Sequence, residues 1–226
     1  VGLSGILIRT LIEEGQVERG IAEGEALLAK ARQEYEVSDP DYIALMSNIG
    51  DGYGAEGAID PALAIHKQAA DAAVEHLLEN STARADARAG YVHTLLAVGQ
   101  PGEALGILDD LVSDYASNEE PDTFLLLILD LLRLEALAQL HREEEARAAF
   151  EILLEGNDSP PNDGSPEWVL KVISQAVNAK STTLIDLLGD AMVERALLAH
   201  DHLQAKGVVS SEDEDLRSAW ILGKLH

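Results

Sequence analysis

A step of 42 residues organises this chain. The segments LIEEGQVERG at 11–20, YGAEGAIDPA at 53–62, LLAVGQPGEA at 95–104 and LAQLHREEEA at 137–146 follow one another at that interval. Side-chain size stays in register through them. Leu11, Tyr53, Leu95 and Leu137 form a large apolar column, Gly15, Gly57, Gly99 and His141 stand at a break, and Gly20, Ala62, Ala104 and Ala146 are all small. Leu27, Ala69, Leu111 and Leu153 form a further apolar column, as do Leu28, Ala70, Val112 and Leu154. A column held to small residues is what two closely crossing helices require, because a larger side chain would hold their axes apart. Repeats of this length are single supersecondary units that bury their apolar faces only by stacking on neighbours.

Each unit reads as helix, short turn, helix. Asp39-Pro40, Asp60-Pro61 and Ser165-Pro166 each place a capping residue before a proline suited to a first helical position. Gly57 and Gly99 suit a left-handed C-terminal turn. Helices are predicted near 3–14, 17–37, 40–55, 61–80, 82–98, 101–116, 121–140, 142–155, 166–180, 182–206 and 212–225. No stretch alternates with period two, so no sheet is expected. Aromatic residues make up 4% of the chain, which favours helices packed through small and aliphatic side chains.

Charge and cysteine content narrow the function classes. The formal net charge is −25, from 41 acidic and 16 basic residues among 226. Such a surface repels phosphate backbones and anionic lipid, which argues against nucleic-acid and membrane partners. Solubility or adaptation to a salty cytoplasm accounts for the acidity more simply than a dedicated basic partner would. The absence of Cys rules out disulfides and thiolate metal sites and fits a cytoplasmic, reducing setting. No apolar run is long enough to span a bilayer. The chain opens inside an apolar periodic segment, which reads as an excerpt of a longer protein.

The hairpins resemble the tetratricopeptide repeat (TPR). In IGDGYGAEGAIDPALAIHKQA, Gly50, Tyr53, Gly57, Ala62 and Ala69 sit at that family's spacing, and LLAVGQPGEALGILDDL is a second match. A 42-residue unit looks like the longer variety found in kinesin-light-chain-like arrays and many bacterial regulators. The resemblance covers 1–158 and fades beyond, where the break column reaches Thr183 and the small column falls on Leu188. It implies an all-α, right-handed superhelical solenoid of antiparallel hairpins over 1–158, about four of them. A degenerate repeat plus a capping or truncated helix would follow over 159–226, with SAWILGKLH at its end. It also implies a concave groove lined by first helices.

Carried onto this chain, the pattern turns Arg9, Asp51, His93 and Glu135 toward that groove, with Glu13, Asn48, Asp86 and Gln139 on the same face. The same residues would also serve as ordinary solvated faces. Some family members grip a C-terminal carboxylate with Lys, Arg and Asn, but here only Asn48 matches. Position 47 is Ser, 86 is Asp and 89 is Ala, so no carboxylate clamp is expected.

Other motifs fail on context. GYGAEG at 52–57 satisfies G-x-G-x-x-G, yet the preceding PDYIALMSNI falls in helical register where a dinucleotide site needs a strand. A helix with glycines at 50, 52 and 54 reads instead as a loosened helix end at a close hairpin contact. GQVERGIA at 15–22 lacks the Lys-Ser/Thr of a phosphate loop. His200-Asp201-His202 does not share one helix face, so no metal site is expected there. No His-Glu-x-x-His or Gly-x-Ser-x-Gly occurs. EEE at 143–145 and EDED at 212–215 read as helix starts.

The sequence therefore points to a non-enzymatic interaction scaffold without cofactor or metal. It would bind a basic or polar peptide or helix of a partner in its groove. A sensor or regulatory module of a larger protein and a self-assembling array with exposed repeat ends are the alternatives.

Overall fold

The breaks at Gly15, Gly57, Gly99 and His141 are helix ends. The computed structural model describes residues 7, 8, 10–12, 14–34, 36–116, 122–155, 168, 169, 171–173, 176 and 181–205. Among them the bounded helices are α1 (Val17–Glu34), α2 (Pro40–Ala55), α3 (Ile59–His76), α4 (Thr82–Ala97), α5 (Pro101–Ala116), α6 (Thr123–Gln139), α7 (Glu143–Glu155) and α8 (Thr182–Ala205). No strand occurs among the described residues. The chain divides into two compact units, Val1–Leu129 and Asp130–His226. The proposed boundary at 158 lies outside the described residues.

The turns repeat bond for bond. Gly15, Gly57, Gly99 and His141 take φ of 78°, 75°, 71° and 57°. The next residue's amide donates five residues back in each case. These bonds run from Gln16 to Leu11 O (2.8 Å), Ala58 to Tyr53 O (2.8 Å), Gln100 to Leu95 O (2.9 Å) and Arg142 to Leu137 O (2.9 Å). This is a Schellman ending, and its long bond lands on the large apolar column. The small column then opens the second helix: Ala62, Ala104 and Ala146 are each 0% exposed. A Cβ on Gly20 would lie 3.0 Å from Ile12 Cγ1, which explains why that position is smaller still.

Within the first unit, α2 packs against α1, α3 and α4, and α4 packs against α3 and α5. The first helices α2 and α4 thus lie side by side, each backed by second helices. Ile43, Ile49, Ala69 and Ala73 on α2 and α3 are 0% exposed and belong to one core cluster. Burying each isoleucine contributes about 1.5–3 kcal/mol relative to exposure. In the second unit, the Trp168 indole N–H donates to Leu153 O at 2.8 Å, and Arg195 of α8 pairs with Glu151 of α7.

Local signals set the boundaries, with some differences from expectation. Asp39 caps α2 as expected, accepting from the Asp41 amide at 2.9 Å. Asp60-Pro61 does not start α3. That helix begins at Ile59 after Ala58, and Pro61 sits inside its first turn, where a missing N–H forfeits no helical bond. It ends at His76 rather than 80, because Leu77 is extended and Ser81 caps α4 through the Arg84 amide. Helix α1 ends at Glu34 rather than 37. Ser165 and Pro166 lie outside the described residues. The 42-residue register does not reach the second unit's end: Thr183 lies in the first turn of α8, and Leu188 is 1% exposed inside it.

Helix α2 runs unbroken through Gly50, Gly52 and Gly54, so it is not loosened. Its glycines admit neighbours: a Cβ on Gly52 would lie 2.9 Å from Ile21 Cγ1. No strand precedes GYGAEG, and the dinucleotide motif is a helix end.

Candidate functional site

The first-helix face of the N-terminal unit carries the candidate site. Residues 44 and 51 on α2 correspond to 86 and 93 on α4 at the repeat step, and seven residues return a helix to the same face. Ala44, Asp51, Asp86 and His93 are all exposed, Asp51 to 51%. Between them lie small side chains, with Ser47, Ala83 and Gly90 half-buried and Ala97 exposed. A partner backbone could approach such a surface closely, with two carboxylates and an imidazole projecting toward it. Asn48 is 8% exposed and sits beneath this surface.

Behind Asp51 stands a residue that the sequence reading missed. His66 reaches from α3 between α2 and α4 and is 2% exposed. Its Nδ1 lies 2.7 Å from Thr94 Oγ1. Its Nε2 donates to Ser47 O at 3.0 Å and lies 3.5 Å from Asp51 Oδ1. Thr94 Oγ1 donates to Gly90 O at 3.0 Å. The ring fits only because two helices offer glycine. A Cβ on Gly50 would come closer than 3.0 Å to three ring atoms, and one on Gly90 would lie 3.3 Å away. The imidazole thus fills a slot cut by Gly50 and Gly90, behind the exposed Asp51 carboxylate. A glycine on each of two neighbouring first helices, with a polar residue on the second helix between them, is the signal that could have found it.

In the second unit, the Gln139 amide donates to Glu135 Oε1 at 2.8 Å, as their spacing on α6 allows. Glu135 Oε2 is buried with no hydrogen-bond partner among the described residues. One turn earlier, burial pushes the Asp130 carboxyl up to about 6, against the opposing pull of Arg133. Arg9 and Glu13 lie outside the described residues. The structure therefore brings Asp51, Asp86 and His93 onto one face of the first unit and joins Glu135 to Gln139 in the second.

Elsewhere in the first unit, polar burial serves the scaffold. Arg88 on α4 is 8% exposed and donates to Ile107 O of α5 at 3.3 Å. Burial pulls its guanidinium below the usual range, and Arg84 adds to that. Among the described residues, no cluster of His, Asp and Glu could hold a metal ion. No described helix is long and apolar enough to cross a membrane.

Solved structures share this architecture. The crystal structure of a Podosopora anserina putative kinesin light chain with nearly identical TPR-like repeats matches 98% of this chain and 91% of its own. The TM-score is 0.60 and the identity 16%, and a point variant of the same protein gives the same values. BtubC (BKLC) from P. vanneervenii matches 89% of this chain and 80% of its own, with a TM-score of 0.66 and 15% identity. The fold is that of a TPR-like helical repeat array. No protein-family model matches this TPR-like chain, and neither does any curated protein.

Proposed function

We propose that the chain is a protein-interaction scaffold rather than an enzyme. Its first-helix face holds a basic or polar peptide or helix of a partner. The observation that carries this reading is the register of Asp51, Asp86 and His93. All three are exposed on two first helices that pack side by side, among side chains small enough to admit another backbone. Charge-assisted hydrogen bonds from a Lys or Arg to the carboxylates would supply selectivity, and contact with the small-residue surface would supply packing. His66 packs behind Asp51, its Nε2 3.5 Å from the carboxylate. The same register assigns Arg9 and Glu13 to such a face, Asn48 supports it from beneath, and Glu135 and Gln139 hold the equivalent positions on α6 of the second unit. The turn repeat at 42 residues favours an array of the longer-unit variety.

Affinity capture of partners, followed by titration of the captured segment against Asp51→Ala/Asp86→Ala, tests the proposal. Each carboxylate lost should weaken binding by a factor of several, and binding should weaken further as salt rises. Unchanged affinity in the double variant would sink it.

A further inference from the structure

The second helices carry a surface of their own. Helix α2 packs against both α1 and α3, and a groove of about 380 Å³ opens over it between these two second helices. Its apolar lining comes from all three: Leu28 of α1, Ile49 of α2 and Ile65 of α3. Ala29 and Ala64 line it from opposite helices, and both are exposed, so at these two positions only a methyl group borders its mouth. The volume lies at the lower end of the ligand-sized range of about 300–1,000 Å³. That is room for bulky side chains entering from a partner.

The two ends of the groove differ in charge. Glu25, exposed, takes a hydrogen bond from the Tyr53 hydroxyl. Arg32, also exposed, donates from Nε to the Tyr42 hydroxyl at 3.2 Å. The acid and the base are seven residues apart on α1, about 10 Å along its axis. Each is steered by a tyrosine of α2, so both head groups are positioned rather than loosely solvated. A partner helix lying along α1 repeats its stripe every seven residues and so presents groups at the same spacing.

From this we propose that the groove between α1 and α3 is a second docking site, for an amphipathic helix of another protein. That helix carries a bulky apolar residue flanked by a base and an acid seven residues apart. The base meets Glu25, the acid meets Arg32, and the apolar residue enters over Ile49. Arg32's own positive charge makes it the attractive end for an acidic group, while the net charge of −25 disfavours a second copy of the chain as the occupant. The site is independent of the first-helix face.

A phage-displayed library of peptides about four helical turns long tests it. The library is selected on the folded chain and counter-selected on Ala64→Leu, whose side chain fills the mouth from its exposed side. Surviving peptides should share the base–apolar–acid pattern and bind Ala64→Leu and Arg32→Glu at least tenfold more weakly. Exchanging the peptide acid for Lys should restore binding to Arg32→Glu. Asp51→Ala should leave their affinity unchanged, which separates this site from the first-helix face. Circular dichroism melts confirm that the variants fold. Overturning results are a selection that yields nothing sensitive to Ala64→Leu, a consensus lacking the charge pair, or peptides that respond to Asp51→Ala instead.

Discussion

Two glycines of one helix should answer the same substitution with opposite signs. A methyl at Gly50 must enter the His66 ring, which is 2% exposed and bonded at both nitrogens. Gly50→Ala should therefore cost about 1–3 kcal/mol, the range for overpacking a core, despite alanine's better helix propensity. At Gly54 nothing lies within 4 Å of the added carbon, so Gly54→Ala should gain up to about 1 kcal/mol. Urea denaturation of the two variants checks the contrast. Asp130 makes a second test at this scale. Its folded-state carboxyl titrates near 6, above the ordinary 3.8, so the folded protein holds the proton longer. Stability should fall as pH rises from about 4 through 6, and the loss should be complete above that, at most about 3 kcal/mol. Asp130→Asn should remove this dependence and be the more stable protein at pH 7, as read from denaturation midpoints across pH. Neither His66 nor Asp130 was legible beforehand. A polar residue on an apolar helix reads the same whether water or packed carbon surrounds it.

The repeating turns are the most informative elements. Four helix ends use one hydrogen-bond pattern, three of them with glycine and one with His141 at φ 57°. A side chain in the left-handed region costs roughly 1–2 kcal/mol, so His141→Gly should stabilise the protein. Gly57→Ala should destabilise it by about 1 kcal/mol. Thermal melts of the pair read both signs, and equal effects in the two would contradict the shared geometry. These elements were readable because a Schellman turn favours glycine, and in this chain a large apolar residue precedes it and a small one follows it, all close together. The start of α3 at Ile59 departs from the expected Pro61 for a related reason. A proline fits anywhere in a helix's first turn, so Asp60-Pro61 marks the neighbourhood of a helix start without marking its first residue.

At the scale of the molecule, a net charge of −25 must be carried on helices that pack closely. Raising ionic strength from about 0.01 M to about 0.15 M shortens the Debye length from ~30 to ~8 Å. Self-repulsion weakens accordingly, and the melting temperature should rise with sodium chloride; a flat response would show that self-repulsion does not limit the fold. Residue order alone settled that the described residues form helices and no strand, where the four repeat turns fall, and that Leu11, Leu95 and Leu137 are buried, at 5%, 0% and 4% exposure. Those features depend on neighbours a few positions away and on the period at which apolar residues return. Folding in three dimensions settled the rest: that α3 sends His66 behind Asp51, and that α1 and α3 stand apart over Ile49. Such arrangements join side chains from different helices through shape and desolvation, and no spacing along the chain encodes them.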